Sequence, residues 1–140
     1  MFAVTATAMD PQDPLAGLTL GDVADTDVPE GWVRVHVRAA SLNHHDLWSL
    51  KGVGLRPEML PMILGGDASG VLDDGTPAIV HSVIGDPAAG RGDETLDPKR
   101  TLLSELHPGT FAETVAVPRR SRWLRPSSTR TSGFTSSSGM

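Results

Sequence analysis

The chain has 140 residues and a formal net charge of −5, enough length for one ordinary domain to fold on its own burial. It contains no cysteine, which excludes disulfides, thiolate zinc clusters, iron–sulfur centres and thiol nucleophiles. The charge is divided: all 17 acidic residues lie at or before Glu113, while residues 118–140 carry five Arg and no acid.

The opening MFAVTATAMD lacks a basic start and meets Asp10 early, so it does not read as a secretory or transit sequence. No apolar run approaches membrane-spanning length, and the expectation is a cytoplasmic protein. Residues 2–8 and 18–23 read as strands on either side of a turn signal at residues 10–14. The clearest strand is WVRVHVRA at residues 32–39. There Val33, Val35, Val37 and Ala39 alternate with Trp32, Arg34, His36 and Arg38, which gives one packed and one wet face. His36 falls on the wet face.

A short helix is expected after Asn43, with Leu47 and Leu50 buried at helical spacing. Further strands are expected at residues 68–72, 78–84 and 111–117, with His81 a hydrogen-bonded core histidine in the second of these. The polar stretch at residues 85–107 reads as a long excursion with one helical turn near residues 102–106, closed by a Pro-Gly turn that includes His107. Residues 118–140 are Ser- and Arg-rich without apolar spacing, so a disordered tail is expected there. Trp123 and Phe134 among those arginines are the elements of a nucleic-acid contact, but the tail is short and joined to an acidic body, which argues against that partner. Short strands, loop punctuation and little helix predict a mainly β domain with short helices, a small and partly open barrel or sandwich.

The run Asn43-His44-His45-Asp46 is the densest group of potential ligands. Asn is a good N-cap, and an acidic side chain three positions later sits over the free N–H groups of a first helical turn. As a metal site the run is poor, because adjacent residues point in divergent directions and ligands would have to come from Asp67, His81 or His107, none in a recognised spacing. The Gly65-Gly66-Asp67-Ala68-Ser69-Gly70 stretch has Asp67 where a dinucleotide fingerprint needs its second glycine. These glycines are expected to let strands turn and pack closely.

In order, a strand ending Ala-Ala-Ser-Leu-Asn, the helix start NHHDLW, then LPMILGGDASGV and later HPGTFAETVAVP resemble the N-terminal, GroES-like domain of medium-chain dehydrogenases/reductases. The resemblance covers nearly all of residues 1–118 and implies a GroES-like, partly open β-barrel over residues 1–117. Zinc alcohol dehydrogenases of that superfamily place a Cys ligand where Asn43 stands, a His ligand in a Gly-His-Glu motif where Gly66 stands, and four cysteines in the loop corresponding to residues 85–107. None is present here. Asn43 followed by Asp46 is similar to the Asn-x-x-Asp pattern of the zinc-free quinone oxidoreductase branch, and Asp67 is expected to have a hydrogen-bonding role.

The resemblance thus implies hydride transfer from NADPH or NADH to a quinone or an α,β-unsaturated carbonyl, without zinc. It makes Asn43, His45 and Asp46 the expected catalytic residues, His44 and Trp48 the substrate-binding ones, and Asn43 also a contact for the nicotinamide amide. The family's dinucleotide-binding domain follows this one and is not found in these residues. A truncated or frameshifted product is therefore expected, monomeric and unable to bind NAD(P)H alone, with no membrane or nucleic-acid partner. The alternatives are a non-catalytic β-barrel fragment or binding module, and a relative of the zinc-type alcohol dehydrogenases.

Overall fold

The computed structural model describes residues 1–120 with their side chains and the backbone of residues 122–124. Strand β1 (Phe2–Ala6) lies between β2 (Leu18–Asp22) and the short β4 (Met62–Ile63), antiparallel to both. A second antiparallel sheet has the order β10-β6-β5-β3-β9, formed by Arg122–Leu124, Pro77–Val80, Ala68–Leu72, Trp32–Ala40 and Thr114–Pro118. A two-stranded ribbon of β7 (Val83–Ile84) and β8 (Thr101–Leu102) completes the sheets, and an Ala3–Ala112 bridge joins the first sheet to the run leading into β9. The domain is mainly β with short helices, consistent with a partly open barrel.

Alternation decides which faces meet. Val35 on β3, Leu72 on β5, Val80 on β6 and Val115 and Val117 on β9 close one core with Ile84 and Leu103. Gly70 makes the β3–β5 pairing possible, because a Cβ there would lie 2.1 Å from the His36 carbonyl oxygen. The register of that pair slips between Val37 and Ala39, so Arg38 is an extra residue that bends the end of β3 toward helix α1 (His44–Leu50). Under the helix a second core gathers Ala6, Leu50, Leu55, Met62 and Leu64.

The structure departs from the sequence expectations in several places. Residues 78–84 do not form one strand: the chain leaves the five-stranded sheet after Val80 and starts the ribbon at Val83. His81 makes this corner, its Nδ1 accepting the Val83 N–H at 3.2 Å, so it is half-buried between sheets instead of enclosed in a core strand. Residues 101–103 are extended, and at 102–106 the chain makes a single turn in which the Glu105 and Leu106 N–H groups both donate to the Leu102 carbonyl, at 3.4 and 3.3 Å; the 3-10 helix of this stretch lies earlier, at Glu94–Leu96. The excursion is tied down from within. Buried Asp97 accepts the backbone N–H groups of Asp86 and Lys99, each at 2.8 Å, and these bonds hold its pKa below the usual carboxylate value.

Leu50 is buried as expected, but Leu47 is not; Ser49 takes the inward position, with its hydroxyl buried and unpaired. The disorder expected from residue 118 is contradicted where the chain is described, since Pro118 ends β9 and residues 122–124 pair with β6. The remainder of that expectation lies outside the described residues. Among the described residues no helix is long and apolar enough to cross a membrane.

Candidate functional site

Helix α1 begins where the bent end of β3 delivers Asn43 as its cap. Asp46 Oδ2 accepts the Asn43 backbone N–H at 2.8 Å, the acidic half of a capping box, and Asp46 Oδ1 accepts the Gly65 N–H at 3.1 Å. The Asp46 side chain is buried, so its two oxygens work as a clamp between the helix start and the glycine turn after β4. Gly65 has φ +99°, and a Cβ there would collide with Thr110 and Phe111.

Asn43 lies at the junction of two cavities. The larger, about 660 Å³, is walled by apolar side chains including Leu15, Leu42, Leu47 and Phe111, and His44 and Asp46 also line it. The smaller, about 270 Å³, is lined by Asn43, His45, Gly66, Asp67, Ser82, Leu102 and Leu103. Trp48 is 54 % exposed and lines neither cavity.

The smaller cavity holds the denser chemistry. Asp67 accepts from the Ser41 hydroxyl at 2.7 Å, the Ser41 N–H at 3.2 Å and the Asn43 amide at 3.3 Å. The Ser41 hydroxyl bond, more than the others, holds the Asp67 carboxyl below its ordinary pKa despite an opposing desolvation. Asn43 Nδ2 also reaches the Ser41 carbonyl at 3.4 Å, so both amide bonds are long and exchangeable. Across the cavity, His45 Nε2 lies 2.8 Å from Glu105 Oε1, and its Nδ1 lies 3.4 Å from Ser104 Oγ. An ionised carboxylate only accepts, so Nε2 carries a proton and, in the neutral ring, Nδ1 is the bare nitrogen.

Ser104 and Glu105 are adjacent yet both reach His45. Ser104 has φ +62°, a left-handed conformation unusual for a residue with a side chain, and the turn it makes is closed by its N–H donating to the His107 carbonyl at 2.7 Å. Gly54, at φ +83°, leaves the room in which Glu105 sits: a Cβ on it would lie 2.5 Å from Glu105 Oε1. His107 is outside this group. Its ring packs against Trp32 with centroids 5.2 Å apart, its Nε2 is 3.0 Å from Thr101 Oγ1, and burial pushes its pKa down.

The structure therefore brings together Asn43, His45 and Asp67, places Asp46 behind them as a structural clamp, and turns His44 toward the apolar cavity. Ser41, Ser104 and Glu105 belong to the site and were missed by sequence reasoning; their partners lie 26, 59 and 60 residues away, and no local spacing announces them. Gly66 is not needed for close packing, because a Cβ there would make only an ordinary 3.5 Å contact with Ser82. Of the three glycines in this stretch, Gly65 and Gly70 are the ones whose surroundings require glycine.

Residues 29–127, well over half of the chain, match the family model of the alcohol dehydrogenase GroES-like domain. The chain belongs to this family. This GroES-like domain also has solved structural neighbours. An NAD-dependent alcohol dehydrogenase superposes with TM-score 0.76 at 30 % identity, covering 90 % of this chain and 40 % of that one. A crotonyl-CoA carboxylase/reductase gives 0.73 at 23 %, covering 90 % and 34 %, and galactitol-1-phosphate dehydrogenase from Escherichia coli gives 0.72 at 20 %, covering 91 % and 39 %. The last two show the fold alone. This GroES-like chain thus spans well under half the length of these oxidoreductases, and no curated protein matches its sequence.

Two groups that the family implies can be tested against these side chains. Among the described residues no three His, Asp or Glu converge as a metal site, and the cavity that holds Asn43, His45 and Asp67 offers an amide, one imidazole already paired with Glu105 and one carboxylate already bonded by Ser41. This donor set does not fit zinc. Nor do the glycines fit a dinucleotide phosphate: Gly70 lies within β5 against β3 and opens no helix.

Proposed function

We propose that this GroES-like domain is the acceptor side of a zinc-independent, NAD(P)H-dependent oxidoreductase that reduces quinones or α,β-unsaturated carbonyls. The observation that carries the reading is the donor set of the polar cavity, where the Asn43 amide and the His45 imidazole converge beside an Asp67 already bonded by Ser41, and three free metal ligands do not. In such an enzyme a dihydronicotinamide supplies the hydride, held by parts outside the described residues. What these side chains contribute is orientation and polarisation of the acceptor.

An acceptor carbonyl entering the polar cavity would take the place of the long Asn43 contacts to Asp67 and Ser41, so the Asn43 amide donates to the oxygen where negative charge develops. Simple aldehydes and ketones concentrate that charge on one oxygen and gain most from a cation. A conjugated acceptor spreads it, and neutral donors then supply a larger share of what the transition state needs. Asp46 keeps the helix start in place, and the apolar cavity beside Asn43 suits the carbon skeleton of the acceptor. A cytoplasmic location and small-molecule partners go with this reading.

The 30 % identity to an NAD-dependent alcohol dehydrogenase favours a second reading, metal-dependent alcohol oxidation. Elemental analysis and a ligand titration separate the two. The purified chain is expected to carry no stoichiometric zinc after dialysis against the metal, and 2-cyclohexen-1-one is expected to shift the Asn43 side-chain amide resonances saturably. One equivalent of tightly held zinc, with no response of Asn43 to the enone, overturns the zinc-independent reading.

A further inference from the structure

The group Glu105–His45–Ser104 has the connectivity of an acid, an imidazole and a hydroxyl in series, with the acid at one ring nitrogen and the hydroxyl at the other. In a hydrolase the hydroxyl would be the nucleophile. Here Ser104 is fully buried at 0 % exposure, so no electrophile reaches its oxygen, whereas His45 lines the polar cavity beside Asn43. The accessible member is the imidazole, and its two partners differ in how firmly they hold it. Glu105 binds Nε2 at 2.8 Å, within the range of a charge-assisted bond, and Ser104 stands 3.4 Å from Nδ1, at the outer limit for any hydrogen bond.

We propose that Glu105 and Ser104 are positioning residues for His45, Glu105 fixing the ring and keeping the proton on Nε2, so that Nδ1 exchanges a proton with the oxygen of a carbonyl acceptor bound at Asn43. This rests on the function proposed above and adds its proton donor. Once hydride has added to the conjugated carbon, with its electron pair supplied by a dihydronicotinamide, the acceptor oxygen carries the negative charge. It takes the proton from Nδ1–H of the imidazolium. An O–H bond forms, the N–H bond pair remains on Nδ1, and the ring ends neutral with Nε2–H still on Glu105.

The carboxylate that lines this cavity, Asp67, is turned to Ser41 and Asn43, and the carboxylate that contacts the ring is Glu105. Three further features support a built arrangement. Ser104 adopts a left-handed backbone that aims two adjacent side chains at one ring; Gly54 is the residue type that leaves space for the carboxylate; and the Ser104 N–H bond to the His107 carbonyl closes the turn.

Nitrogen-15 NMR of the histidine-labelled full chain tests this directly, because the ring nitrogens report which one holds the proton. In the neutral ring of the unsubstituted chain the proton is expected on Nε2. In Glu105→Ala it is expected to redistribute over both nitrogens, while Glu105→Gln, whose amide oxygen still accepts, restores the Nε2 form and Ser104→Ala retains it. 2-Cyclohexen-1-one is expected to move the Nδ1 resonance and leave Nε2 in place. A proton on Nδ1 in the unsubstituted chain, or an unchanged distribution in folded Glu105→Ala, overturns the positioning role. If Glu105→Ala does not fold, the unsubstituted chain and Glu105→Gln decide it by the same criterion. Should Asn43 respond to the enone while Nδ1 does not, the proton exchange at His45 is overturned alone; should neither respond, the proposed function goes with it.

Discussion

The two cavities that meet at Asn43 differ in size by more than twofold, about 660 against 270 Å³, and the smaller one holds the organised chemistry. Leu15, Leu42 and Phe111 give the larger cavity area to cover but little direction, since apolar contact scales with surface and ignores orientation. The smaller cavity is assembled from bonds at defined angles: Asp67 with Ser41, and His45 with Glu105. Its polar groups had to be paired to be partly buried at all, and that requirement fixes their geometry. An acceptor would draw affinity from the first and orientation from the second.

The largest expected effect comes from breaking the clamp that holds Asn43, the residue common to both. Asp46 is buried, touches the larger cavity and clamps the Asn43 and Gly65 N–H groups. Asp46→Ala leaves two backbone donors without their charged acceptor and is expected to cost about 3 kcal/mol or more. Urea denaturation measures it, and a loss below about 1 kcal/mol would show that water replaces the carboxylate at both donors.

Acid is expected to act next, first at His107 and then in the polar cavity at Asp67. His107 has its pKa pushed down from an ordinary 6.5 by burial, so it favours folding fully above that value, and its contribution is lost as pH falls from 6.5 through the lowered value. Asp67 is likewise depressed, from an ordinary 3.8, so its stabilisation is present above 3.8 and disappears as pH falls through the depressed value. Stability followed by denaturation across pH is expected to decline in these two stages. In Asp67→Asn the lower stage is expected to shrink while the upper one persists, and an unchanged lower stage would assign it to other carboxylates.

The smallest effect on stability is expected at Leu42, which is 86 % exposed on the rim of the apolar cavity. Leu42→Asp is expected to change unfolding free energy by no more than about 0.5 kcal/mol. Binding of an apolar fluorescent dye is expected to weaken, with the enone response of Asn43 retained. Simultaneous loss of both would mean that the two cavities act as one.

Much of the fold was legible locally. The alternation in β3 anticipated its length to within a residue, and Asn43 with Asp46 anticipated where α1 begins, because strand period and helix capping are both set within a few residues. Leu47 misled because this seven-residue helix buries a narrower stripe than the ideal spacing implies, and Ser49 occupies part of it. Residues 78–84 misled because a corner at His81 passes the chain from one sheet to another without interrupting its apolar character. The polar run at 85–107 was read only as a long excursion, because nothing in its local sequence marks Asp97, which is buried and binds two backbone groups.

By itself the sequence determined the β character of the domain, the helix start at Asn43, the absence of thiolate ligands and the motif order by which its family is recognised. Only the tertiary structure decided that His45 meets Glu105 and Ser104, that Asp67 turns to Ser41, and that Gly66 has room for a Cβ beside Ser82. The reason is range. Period and capping are energies between neighbours in the chain, whereas a partner 60 residues away is chosen by the Arg38 bulge, the left-handed turn at Ser104 and the packing that brings them to one cavity.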